Sequence, residues 1–176
     1  ATASTGAGGI YITETDAMSI SSINAGTGNV ELESAGTITD VGGTETTTDI
    51  TAAGVTIRNA TGVGVDAGNS LNLDADTLTI TTLSGDAFLT EANGIGLGTV
   101  NVVANALTLE AITGNITDNT SAVTAGNLSL TATANGASIG ASGAANDINV
   151  TLSGTLSATA SDGTGGIFIG QTGTLS

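Results

Sequence analysis

VELESAGTIT, Val30 to Thr39, sets apolar residues at Val30 and Leu32, breaks at Ser34-Ala35-Gly36 and resumes with Ile38. Apolar side chains two residues apart, interleaved with Glu and Thr, have the period of a strand that buries one face. The Ala-Gly break lets the chain change direction and lay down a second short strand. The same arrangement recurs in VTIRNATGVGV from Val55, FLTEANGIGL from Phe88 and LSLTATANGASI from Leu128. In the last two the break carries Ala-Asn-Gly, at Ala92 to Gly94 and at Ala134 to Gly136, which reads as a shared corner between two faces of one coil. Further alternating segments are GIYI from Gly9, LNLD from Leu71, TLTIT from Thr77, TVNVV from Thr99, LTLE from Leu107, INVTL from Ile148 and GIFI from Gly166. Helical 3.6-residue periodicity is sustained nowhere.

Reading NVEL, GVTI, LTI, VNVV, LSL, INV and IFI as successive passes of one face gives a step of roughly 19 to 28 residues, the range of a β-helix coil. The fold expected is all-β, a right-handed parallel β-helix of about seven such coils. A longer period overlies the short one. ATASTGAGGIYITETDAMS, residues 1–19, returns as ATASDGTGGIFIGQTGTLS, residues 158–176, with eleven of nineteen positions identical at an offset of 157. The chain therefore reads as one solenoid segment over residues 1–176: a unit of about 157 residues and the start of the next. With no polar cap at either end, the coils are expected to continue in both directions.

Composition narrows the core and the partners. Hydrophobic residues make up 39% of the 176, yet aromatics only 2%, so the core must be built from stacked Ala, Val, Ile and Leu. Twenty-seven Gly and no Pro mean tight turns that rely on Gly and on Asx-type hydrogen bonds. Sixteen acids face a single base, Arg58, for a formal charge of −15, which repels nucleic acid and anionic lipid headgroups alike. Such acids solvate a surface in a salty or extracellular medium; the alternative is that some collect Ca²⁺, which prefers carboxylate and carbonyl oxygens. No Cys is present, so no disulfide or thiolate metal site is expected. No apolar run suits a bilayer span, and no secretory signal lies in this stretch.

The LxLxA pattern followed by Gly-x-Ile, in VELESAGTIT, LTLEAITGNIT from Leu107 and LSLTATANGASIG, resembles the degenerate coils of filamentous haemagglutinin-type adhesins and other large repetitive bacterial adhesins. The resemblance extends from about Gly8 to Ser176. It implies an exported β-helix shaft at the cell surface, acting in attachment, cell-to-cell contact or an extracellular filament. Its partners would be neighbouring repeats of the same chain, other copies in a filament, and a host or neighbouring-cell surface, with no nucleic acid and no membrane insertion. The family's amino-terminal secretion domain and receptor-binding insertions are not found in this stretch.

Catalysis is not expected. A β-helix lyase needs a base for the proton and a cation for the uronate, and Arg58 alone cannot supply both. A hydrolase needs two facing carboxylates, for which Asp74 and Asp76, on one face of a strand, are the nearest pair. A calcium roll would need an aspartate after GAGG (6–9) or GTGG (163–166), and none follows at the required place; isolated turn sites at Asp40, Asp49, Asp118 or Asp162 stay open. The same Gly-rich segments lack the Gly-Lys-Ser/Thr of a phosphate loop and read as turns. No cofactor is expected.

Thr-rich segments at Thr37, Thr44, Thr77 and Thr131 raise an ice-binding alternative, which requires Thr-x-Thr in register on nearly every coil; the plainer reading is β-propensity and cross-rung pairing. A carbohydrate-active β-helix is the other alternative. Tyr11 and Phe168, equivalent in the long repeat, and Phe88 are expected to pack in the core. Asn on the corners, including the sequons at Asn59, Asn115, Asn119, Asn127 and Asn149, is expected to hydrogen-bond between turns above and below.

Overall fold

The structure, a computed structural model, describes residues 8–42, 47–81, 84–119, 122–161 and 163–173. Among them there is no helix, and seventeen strands join in one continuous sheet whose ladders are all parallel. The chain is a parallel β-solenoid of about seven turns. On one face Ile12, Leu32, Ile57, Ile80, Val100, Val123 and Val150 stand one on another. A second column runs Met18, Ile38, Val63, Ala87, Leu107, Leu128 and Leu156, so successive coils consume 20 to 28 residues. A third runs Ile23, Ile50, Leu73, Glu91, Ala111, Ala132 and Ala160. The columns converge on one core in which Leu32, Ile38, Ile57, Leu73, Ile80 and Leu109 are all essentially inaccessible.

Most of the expected strands form, but of GIFI only Ile169 enters a strand, Ile169–Gln171, with Ile167 in an isolated bridge to Ile139, and one segment is misplaced. LSL lies on the second column above Leu107, and its expected place on the first face is held by Ala122–Ala125, whose Val123 sits between Val100 and Val150. AVTA carries one large apolar residue and the LSLT segment two, so sequence pattern alone favours the wrong one. The Ala-Asn-Gly segments both fall between the third column and the row of Ile95, Ile116 and Ile139, starting one residue after Glu91 and two after Ala132. TVNVV stops short of its full length: the strand is Ile95–Asn101, and Val103 is 54% exposed at φ 49. A β-branched residue at positive φ is strained, and here the chain turns the corner.

LNLD and TLTIT, separate in sequence pattern, form one strand, Leu71–Thr81, as does Ile50–Arg58 in the coil before it. These two coils run straight from the third face into the first. From the strand Ala87–Glu91 onward the chain is instead straight from the second face into the third, and the bend falls at Ala92–Gly94. The corner has thus moved within the stack. Pairing between Leu71–Thr81 and the following coil stops at Leu73 with Glu91 and resumes at Thr77 with Gly96. An extra residue between Leu97 and Val100 then absorbs the changed register as a β-bulge.

Candidate functional site

The moved corner leaves backbone donors without a partner strand, and Glu91 supplies the acceptor. Its carboxylate takes the N–H of Ala75 at 3.2 and 3.1 Å and that of Asn93 at 3.0 Å. Glu91 is 0% exposed, in a column otherwise of Ile, Leu and Ala. Burial pushes its carboxyl up from 4.5 to about 7, and nearby Asp74 pushes the same way, against the lowering effect of the backbone N–H bonds. Sequence alternation alone places Glu91 inward, since Leu89 two residues before it faces the core. A second buried polar set adjoins it: the Asn72 N–H donates to Asp49 Oδ2 at 2.9 Å, and the Ser70 and Thr90 hydroxyls lie 2.6 Å apart.

Asp74 and Asp76 share the outward face of Leu71–Thr81, as their spacing requires. Asp74 accepts from the Asn93 side chain at 2.7 Å, and Asp76 is exposed. The acid with a proton-donor pKa is thus Glu91, sealed inside, while the exposed acids nearby stand in water. Asp118 and Asp76 both line a groove of about 390 Å³, with Gly94, Gly96, Asn115 and Asn119. Asp40 caps its own turn through the Gly42 N–H at 2.6 Å, Asp49 is buried, and Asp162 lies outside the described residues. Among the described residues no three acids gather as metal ligands would. The residues of GAGG before Gly8 also lie outside them.

The Thr-rich segments fall on different faces. Thr37 and Thr39 lie on the second, Thr77 and Thr79 on the first, and Thr131 on the merged second and third; residues 44–46 lie outside the described set. On the first face Thr81 follows Arg58, and Asn101 precedes Thr124 and Thr151, so paired Thr columns do not persist from coil to coil. Corner Asn residues do bond between coils, to backbone N–H groups and to side chains such as Glu33 and Asp74 rather than to each other. Asn127 Oδ1 accepts the Thr155 N–H at 2.9 Å and Asn115 Oδ1 accepts the Ser138 N–H at 2.8 Å.

The aromatic residues are not in the core. Tyr11 is 72% exposed, and Phe88 and Phe168 are half-buried. Strand parity explains this, because Ile10 and Ile12 take the inward positions and leave Tyr11 outward. Arg58 lies on the same face, its Nε 3.0 Å from Glu31 Oε1.

No family model, no curated protein and no solved structure matches this chain.

Proposed function

We propose that this chain is a structural and adhesive rod segment of a large extracellular bacterial surface protein of the filamentous haemagglutinin-like kind. The observation that carries the reading is the parallel ladder among the described residues: each inner coil hydrogen-bonds to the coils on either side, with a break between Leu73 and Thr77 that Glu91 bridges, and a core of aliphatic side chains runs the length of the stack. A stack of this kind is stiff, and at about 4.8 Å per coil seven coils span on the order of 35 Å. Reach then comes from tandem units, and the 157-residue repeat supports such tandem use. Sixteen outnumbering acids keep neighbouring rods apart in solution, and a surface of this charge favours neither nucleic acid nor a membrane. In this reading the working partners are adjoining repeats, other copies in a filament, and a host or neighbouring-cell surface. The exposed carboxylates serve solubility rather than catalysis.

Immunogold electron microscopy of intact source cells, with an antibody raised against this segment, tests the reading. Label strung along thin surface fibres is the expected result. Label confined to cytoplasm or to soluble medium, with no fibre, would overturn it.

A further inference from the structure

Tyr11 presents a flat ring to solvent. A methyl group placed on Gly9 would come within 2.8 to 3.0 Å of its ring atoms, so one face of the ring rests on the backbone while the residue remains 72% exposed. The ring-over-glycine contact recurs in the next unit, where a methyl on Gly166 would lie 2.5 and 2.8 Å from the ring of Phe168, which is itself half-buried. Gly9 and Gly166, and Tyr11 and Phe168, are equivalent in the 157-residue repeat. Tyr and Phe share the ring and not the hydroxyl, so the common element is an apolar plate laid over a glycine.

Beside the Tyr11 plate the outward side chains are held in place. Tyr11 pairs with Glu31 and Thr13 with Glu33 on the next coil. Arg58 fixes Glu31, and the Asn59 amide donates to Glu33 Oε1 at 2.8 Å from a backbone at φ 56. A depression of about 440 Å³ opens along this row, lined by Thr13, Glu14, Thr15, Glu33, Ser34 and Asn59. Fixed acceptors next to an aromatic plate suit a ligand with one apolar face and several hydroxyl donors.

We propose that Tyr11 and the depression from Thr13 to Asn59 form a binding subsite for a neutral hexopyranose of a glycan chain. The sugar's C–H face lies on the ring and its hydroxyls donate to the Glu31 and Glu33 carboxylates. Charge selects the class: the chain carries −15, and its only cation, Arg58, is already paired with Glu31, so uronates, sialosides and sulfated glycans are repelled. One subsite of this size is weak, and tandem units along a rod would add their contacts by multivalency. In this respect the inference rests on the rod reading above.

Tyr11 is the only Tyr and there is no Trp, so the intrinsic emission of the purified chain reports this ring alone. Titration with cellohexaose, mannohexaose and a galactose-ended oligosaccharide is expected to give a saturable change with at least one, and none with sialyllactose or a heparin oligosaccharide. Saturation-transfer NMR then compares variants: Y11F retains binding, Y11A weakens it about tenfold, and E33Q weakens it less. Circular dichroism confirms that each variant folds. No saturable response to any neutral sugar, equal binding by Y11A, or preference for the anionic sugars overturns the proposal. Surface fibres in the microscopy with no sugar response would leave a rod without this subsite.

Discussion

Glu91 is where a single residue carries the most consequence. The folded chain holds its proton near pH 7 while the unfolded chain releases it near 4.5. Its contribution to stability is therefore full below pH 4.5, fades as pH rises from there to about 7, and is lost above. The difference is on the order of 3 kcal/mol. Denaturant unfolding across pH is expected to show the Glu91→Gln variant matching the native chain at pH 5 and exceeding it at pH 8. Glu91→Ala, which leaves the Ala75 and Asn93 N–H groups unpaired, is expected to be less stable by about 2 to 3 kcal/mol at acid pH. The inward position of Glu91 was legible from alternation with Leu89. Its role was not, because one of the two donors it serves belongs to Ala75, sixteen residues away on another coil.

At the scale of the element, strands were easier to read than the corners joining them. Corners are set by how closely one coil approaches the next. Gly126 alone separates Ala122–Ala125 from Asn127–Ala132, its N–H donating to the Asn105 carbonyl at 2.8 Å. A methyl there would collide with the Ala104 carbonyl of the preceding coil. Gly126→Ala is expected to cost about 2 kcal/mol or more in urea unfolding. Gly68→Ala, in a loop where the nearest atom would be Asp66 Oδ1 at 3.4 Å, is expected to change stability by less than about 0.5 kcal/mol. Both glycines look alike in sequence, each between a polar and a small residue.

Over the whole molecule, the charge and the ladder oppose one another. Sixteen acids and one base repel along the rod, while the parallel pairing and aliphatic columns hold the coils together. Exposed like charges are screened over about 10 Å at 0.1 M salt. Raising NaCl from about 0.01 M to about 0.5 M is therefore expected to raise the thermal midpoint of the isolated chain, followed by circular dichroism. An unchanged midpoint would mean that the acids stand too far apart on the surface to repel.

Alternation by two, Gly-marked turns and a 19–28-residue recurrence determined by themselves that this chain stacks parallel coils around a thin aliphatic core, because those patterns are local and repeat in every coil. The same patterns place Asp74 and Asp76 together on the outward face. Only the tertiary structure decided which strand rests on which: that Ala122–Ala125 and not LSL continues the first face, that the corner moves after Leu71–Thr81, and that Glu91 closes the gap. Coils of 20 to 28 residues leave several stacking registers compatible with one alternating pattern, and the choice among them rests on contacts between residues one coil apart.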